Sequence, residues 1–290
     1  KVGPRARAAD TPTFRLGLTS WMLSNGILPD VVYEPVDEET SQRLKEHYQT
    51  GHVSCVSDAP LTPVIVSNHT CYMDGVVLAG KLGAPRVVAM AATRKVPIVG
   101  KIMEEMDVIF VDRKDKASRE MTKEAIKEHC SSWQPGDRPL LIFPEGTTTN
   151  GREIIPFRKG AFEPGVPVRP VLIVYNGQWD PASTSYRRLE SGEVVSYSDA
   201  EWVTDFFGHW THPVHIRVLA PYVPDARERE DAALFASNVC AMMDAKLQLV
   251  RKEVEETSWK VAAGRDVGGL GFEFADLAKI GIRKSGLFEG

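Results

Sequence analysis

The sequence predicts an α/β fold: a mostly parallel mixed sheet flanked by helices. Three observations carry that expectation. From Pro63 onward, short runs rich in Val and Ile recur at Val64–Ser67, Arg86–Ala91, Val108–Asp112, Leu140–Pro144, Val171–Tyr175 and Val214–Leu219. These runs are continuously apolar rather than alternating, as in strands covered on both faces. Helix-like stretches, including Asp74–Leu82, Ile98–Met106 and Lys116–Trp133, lie between the first five, which makes the connections crossovers and the sheet parallel.

Ahead of the first strand, Thr13 to Val32 carries Phe14, Leu18, Trp21, Met22 and Leu28 at roughly helical spacing. It reads as a core-packing helix, or as an interfacial helix with Trp21 at the level of lipid headgroups. Asn25-Gly26 and Pro29-Asp30 interrupt it. Asp37 to Thr50 reads as a polar, solvated helix. Pro97 suits a helix start in the second crossover. Pro164 to Pro170 is a proline-punctuated approach to the fifth strand, and Tyr186 to His212 reads as a turn-rich surface excursion. Asp231 to Glu255, with Leu234, Val239, Met242, Met243 and Leu247, reads as a long amphipathic helix before a glycine-rich tail.

Composition narrows the function classes. The chain has 290 residues, 43% hydrophobic and 26% charged, enough to build a large core. A formal charge of −4 and no basic block interleaved with aromatics argue against nucleic acid as a partner. Cys55, Cys71, Cys130 and Cys240 lie far apart with no C-x-x-C pair, which points to reduced thiols in an intracellular compartment. No run of 18 apolar residues exists to span a bilayer as a helix. The chain opens K-V-G-P-R-A-R without a Met, which implies a further segment upstream. Arg5, Arg7 and Arg15 hint at an organellar targeting remnant.

Three stretches carry chemistry, and each follows a strand, where ligands collect in such sheets. The first is N-H-T-C-Y-M-D-G, Asn68 to Gly75. Residues five apart on a helix point about 140° away from each other. His69 and Asp74 therefore meet only if His69 sits in the loop and Asp74 in the first helical turn. The aspartate would then hold one imidazole nitrogen and leave the other as a base. The second is D-V-I-F-V-D-R-K, where Arg113 at a strand end is a fork suited to phosphate. The third is L-L-I-F-P-E-G-T-T-T-N-G, Leu140 to Gly151. It lacks the lysine of a P-loop. Gly146 permits close backbone approach, the hydroxyls of Thr147, Thr148 and Thr149 can donate to oxygens, and Glu145 can hold an acceptor hydroxyl or an arginine.

In this order the stretches resemble the glycerolipid acyltransferase family, the lysophosphatidic acid acyltransferase-like superfamily. N-H-T-C-Y-M-D is similar to its N-H-x4-D block, I-F-V-D-R to its second, F-P-E-G-T-T-T-N-G to its third and V-P-V-R-P-V, Val166 to Val171, to its fourth. The resemblance covers roughly Pro63 to Tyr175 and weakens toward Arg251. It implies the fold of that family, with a helical, membrane-contacting segment over 1–50, an acyltransferase domain over 51–256 and a tail over 257–290. It implies that His69 acts as general base on a glycerol hydroxyl, that Asp74 orients it, and that acyl-CoA is the donor co-substrate. Arg113, Glu145, Gly146 and the three threonines would hold the acceptor. No metal, cofactor or covalent acyl-enzyme is implied.

Many lysophosphatidate-acylating members carry arginine directly after E-G-T, where this chain has Thr148. The run is similar to that of lysophosphatidylcholine and lysophosphatidylethanolamine acyltransferases, so the expected acceptor is a lysophospholipid with a headgroup. The alternatives are a lysophosphatidate or glycerol-3-phosphate acyltransferase, or an acyltransferase-fold structural subunit of a larger membrane assembly. The expected setting is an intracellular membrane surface, endoplasmic reticulum or mitochondrial. Rival readings of single residues are weaker. Cys71 could be a nucleophile beside His69, and His52-x2-Cys55 with His69-x-Cys71 could mimic a zinc set of non-standard spacing. His209, His212 and His215 recur every third residue, but Pro213 breaks any helix there. G-x-S-x-G is absent.

Overall fold

The computed structural model describes residues 11–49, 61–95, 103–104, 107–112, 114–177, 179–182, 184–188 and 191–262. The order of elements is α1 (Pro12–Ser24), β1 (Ile27–Tyr33), α2 (Glu38–Tyr48), β2 (Val64–Ser67), α3 (Asp74–Lys81), β3 (Arg86–Met90) and β4 (Ile109–Val111). It continues through α4 (Lys116–Ser132), β5 (Leu140–Ile142), β6 (Val168–Tyr175), a hairpin β7 (Tyr186–Arg188) and β8 (Val194–Ser196), α5 (Asp199–Gly208), β9 (His212–Val218), α6 (Ala226–Glu230) and α7 (Ala232–Ala262).

A seven-stranded sheet runs β1-β9-β6-β2-β5-β3-β4. Five strands, β6 to β4 in that order, are parallel. The other two, β1 and β9, are parallel to each other, and β9 joins β6 antiparallel. This is the mostly parallel mixed sheet that the apolar runs predict.

Alternation along the strands builds the two cores. On β6, Val171, Ile173 and Tyr175 face one layer while Val168, Leu172 and Val174 face the other. The first layer is covered by Leu18 and Met22 of α1, Val77 and Leu78 of α3, and Trp202 and Phe206 of α5. The second is covered by Ile126 and Cys130 of α4 and by Phe235, Val239, Met243 and Leu247 of α7. Among the described residues, no helix is long and apolar enough to cross a membrane.

Two sequence expectations change. Thr13–Val32 is not one helix: α1 ends at Ser24 and Ile27–Tyr33 becomes a strand. Gly26, at φ +70°, lies so close to the Trp210 backbone that no β-carbon fits there, and the turn sends the chain into the sheet. Ile27–Tyr33 thereby joins the same sheet as β2 to β6. Tyr186–His212 is likewise more than a surface excursion, because α5 buries Trp202 and Phe206 in the core. Turn residues around a ten-residue helix hid its two buried aromatics. The stretch Ile98–Met106, most of it, and the tail beyond 262 fall outside the described residues.

Candidate active site

The carboxyl end of β2 is fixed by Asn68. Its buried side-chain amide donates to the Ile173 carbonyl (3.0 Å) and accepts from the Ile173 N–H (2.9 Å), mimicking one more rung of the β2–β6 ladder. His69 comes next in the loop, and Asp74 is the first residue of α3. That placement satisfies the condition under which the two side chains meet, and His69 Nδ1 lies 2.9 Å from Asp74 Oδ2.

Asp74 is 0% exposed and saturated with donors. Its Oδ2 also accepts the main-chain N–H groups of Thr70 (2.5 Å) and Cys71 (3.0 Å), and its Oδ1 accepts the Tyr175 hydroxyl (2.9 Å) and the Thr70 hydroxyl (3.2 Å). Burial alone pushes this carboxyl up. The hydrogen bonds, His69 foremost, outweigh it and hold Asp74 below the ordinary carboxylate value. An ionised Asp74 only accepts, so His69 Nδ1 carries its proton and Nε2 presents a lone pair. The ring stacks on Phe143, centroids 4.2 Å apart, and the side chain stays 22% exposed. It is a base held at one nitrogen, on a side chain that solvent still reaches.

The P-E-G-T-T-T-N-G loop grips the main chain of the same histidine. Glu145 is 2% exposed, and its two oxygens accept the N–H groups of His69 (2.7 Å) and Ile155 (3.2 Å). Burial pushes the Glu145 carboxyl up to about 7 despite these donors. The Thr149 N–H donates to the His69 carbonyl at 2.8 Å. Both sides of the His69 residue are thus pinned, and Glu145 positions the base rather than reaching into open space.

The other expected acceptor-binding residues fall differently. Thr148, where an arginine would stand, shares a 2.8 Å hydrogen bond with the buried Thr184, which ties the loop to the segment after β6. Thr147 is exposed at the loop tip. Gly146 adopts φ +74°, the left-handed region that glycine favours. Arg113 lies outside the described residues. So do His52 and Cys55 of the zinc reading.

Cys71 is fully buried, its thiol is pushed well up by burial, and its Sγ donates to Asp74 Oδ1 at 3.3 Å. Such a thiol is no nucleophile. His209 stacks on Trp179 and His212 meets the same ring edge-on while stacking on Phe206, whereas His215 faces Asp30 at 3.5 Å, so the three do not form one cluster. Among the described residues no group of three or more His, Cys, Asp or Glu could hold a metal.

Sequence reasoning missed Asn68, Phe143, Tyr175 and Arg158 as parts of this site. Tyr175 had a signal, a lone phenol ending the V-L-I-V-Y strand. Arg158 had none, because it stands twelve residues beyond Gly146, whose backbone it covers.

The chain is similar to known acyltransferases. Residues 56–174 match the family model described as Acyltransferase. Over 200 residues the chain is 34% identical to lysophosphatidylcholine acyltransferase 1 of Danio rerio, covering 69% of this chain and 36% of that protein. It is 33% identical over 199 residues to the lysophosphatidylcholine acyltransferase of Drosophila melanogaster, 68% of this chain and 35% of that one. It is 32% identical over 235 residues to the human lysophospholipid acyltransferase LPCAT4, 79% of this chain and 42% of that one. The chain thus spans well under half the length of these relatives. A solved structure, the 1-acyl-sn-glycerophosphate acyltransferase PlsC of Thermotoga maritima, overlaps 82% of this chain and 77% of its own at 19% identity and a TM-score of 0.45. The matched residues include β2 to β5 and most of β6, the His69–Asp74 pair and the loop that pins it, and they form a domain of the acyltransferase family.

Proposed function

We propose that this chain transfers an acyl group from acyl-CoA to a glycerol hydroxyl of a lysophospholipid. The observation that carries the reading is the His69 imidazole, bound at Nδ1 by a fully buried carboxylate on a side chain that stays 22% exposed. Nε2 takes the proton of the acceptor hydroxyl as its oxygen bonds to the thioester carbon. The C–S bond then breaks, the ester is complete, and the imidazolium returns the proton to the departing thiolate. Metal and acyl-enzyme have no part in this sequence; positioning and proton transfer carry the rate.

The relatives named for lysophosphatidylcholine and lysophospholipid acylation support a headgroup-bearing acceptor. So does Thr148, whose hydroxyl is engaged by Thr184 where a phosphomonoester would call for a cation. Radiolabelled acyl-CoA offered with lysophosphatidylcholine, lysophosphatidylethanolamine, lysophosphatidate and glycerol 3-phosphate tests the reading. Turnover should be greatest with the first two. A clear preference for lysophosphatidate or glycerol 3-phosphate overturns the acceptor class, and inertness toward all four leaves a structural subunit.

These acceptors reside in bilayers, so the site must face a membrane surface. The carboxyl ends of β2, β5 and β6 share one end of the sheet with the amino ends of β1 and β9. At that end the His212 N–H donates to the Gly26 carbonyl at 2.7 Å, joining the exit of α1 to the chain leaving α5. Exposed Trp21 and Leu23 near the end of α1 lie close in sequence to that junction, as do Phe207 and Trp210, the last 92% exposed. The three carboxylates of α5 turn to local partners: Asp199 takes the Tyr72 hydroxyl and Asp205 the Tyr197 hydroxyl, both at 2.6 Å, and Glu201 takes the Ser198 N–H and hydroxyl. Exposed aromatic rings grouped in this way suit the headgroup boundary. Replacing Trp21, Phe207 and Trp210 together by serine should weaken binding to phosphatidylcholine vesicles at least tenfold in a flotation assay, since burying each ring contributes about 1.5–3 kcal/mol at most. Equal binding would remove these rings from the membrane contact.

A further inference from the structure

Arg158 sits where the site lacks a described cation. Its main-chain N–H donates to the Pro144 carbonyl at 2.9 Å, which anchors it to the turn that carries Glu145. Its side chain folds back over Gly146. A β-carbon at that glycine would stand 2.5 Å from Nε, 3.0 Å from Cδ and 3.1 Å from Cζ. Gly146 supplies the positive φ, and its lack of a β-carbon leaves the space that the guanidinium occupies.

Among the described residues, nothing bonds the rest of the guanidinium. Arg158 is exposed, and no carboxylate pairs with it among the described residues. The acid nearest in sequence on its C-terminal side, Glu163, is shared by Lys123 (3.7 Å) and Lys159 (3.8 Å). A planar fork resting on a backbone loses little further freedom when its donors close on two oxygens of one anion. The anchoring turn also holds the base: Glu145 takes the His69 N–H, and Phe143 lies against the imidazole. The fork is thus tied to the same loop as the base, beside a Thr148 that carries no charge.

We infer that Arg158 binds a phosphate group of a substrate, bracing it beside Gly146 while His69 addresses the hydroxyl. This rests on the acyl-transfer reading above. Two substrates of that reaction carry phosphate, the lysophospholipid headgroup and the CoA moiety, and the kinetics separate them.

The variants are Arg158→Gln, Arg158→Lys and, as a charge-matched control, Lys159→Gln. With acyl-CoA saturating, Arg158→Gln should raise the KM for lysophosphatidylcholine about tenfold, a loss of one charge-assisted contact of about 1.4 kcal/mol. Arg158→Lys should recover part of it, and Lys159→Gln should match the wild type. A KM rise confined to acyl-CoA assigns the same fork to the donor's phosphates. Both KM values within twofold of the wild type overturn the inference. Titration of a short-chain lysophosphatidylcholine and of CoA into the unreacting protein reads the same contact without turnover. If the protein is catalytically inert, a wild-type affinity lost tenfold in Arg158→Gln still upholds the phosphate site while the acyl-transfer reading falls. Equal affinities for both ligands in the two proteins overturn it there too. Thermal midpoints of the variants should coincide, because the side chain is exposed.

Discussion

Replacing His69 by alanine should lower kcat for acyl transfer by about 10²–10⁴-fold, the range that a positioned general base supplies. Asp74 holds Nδ1, and Nε2 takes part only as the hydroxyl loses its proton, so kcat and kcat/KM should fall together while the KM values hold. The fold should survive, because the ring is 22% exposed and its main chain stays pinned by Glu145 and Thr149. Asp74 keeps its backbone and hydroxyl donors in that variant. Steady-state rates on lysophosphatidylcholine, taken beside a thermal melt, check this. A variant that keeps kcat within tenfold of wild type at an unchanged melting temperature ends the general-base assignment.

Asp74→Asn should strike both rate and stability. An amide in that pocket no longer fixes the proton on Nδ1, and the wrong imidazole tautomer costs about 10⁴-fold where such a pair has a single orientation. The two losses should not add: Asp74→Asn in a background that already lacks His69 should slow the residual rate little further. Stability is the separate reading. The carboxylate gathers the N–H groups of Thr70 and Cys71 and the hydroxyls of Thr70 and Tyr175 in a fully buried space. Turning an NH₂ toward part of that set should cost about 3 kcal/mol, roughly 10 °C in a domain of this size.

The sign with pH follows from the lowered carboxyl of Asp74. Its stabilisation is present in full above the ordinary value of 3.8 and is lost as pH falls through the still lower folded value. The stability gap between wild type and Asp74→Asn should therefore be constant near neutrality and close below about pH 4. Denaturant midpoints at pH 7 and pH 3 measure it. A gap that persists unchanged at pH 3 would mean that the carboxylate charge is not what holds the loop.

The sheet was legible because buried parallel strands announce themselves as unbroken Val and Ile runs, such as Val64–Ser67. β1 escaped because Leu28-Pro29-Asp30-Val31 mixes a proline and a charge into a strand that only half-buries its residues. At the site, the meeting of His69 with Asp74 could be reasoned from helix geometry. The second function of that aspartate, tying down a loop and a tyrosine a hundred residues away, could not. Likewise Glu145, Thr148 and Thr149 read from the sequence as ligand-facing groups. Their actual partners, the His69 backbone and the Thr184 hydroxyl, come from segments that only the fold brings near. Long-range hydrogen bonds of this kind leave no periodicity behind.

The pairing of β1 with β9 also governs how the chain can be made. Ile27 opposes His212 and Tyr33 opposes Val218, so about 185 residues separate every rung of that ladder. A ribosome must therefore release almost the whole domain before its first strand finds a neighbour, since among the described residues β1 lies at the sheet edge with β9 alone beside it. Until then a Val-rich edge stays unpaired, the kind of surface that recruits chaperones or other nascent chains. Loop closure over such a distance makes this the slow, late step of folding. Expression trials that truncate ahead of Val218 should yield aggregate rather than a smaller soluble domain.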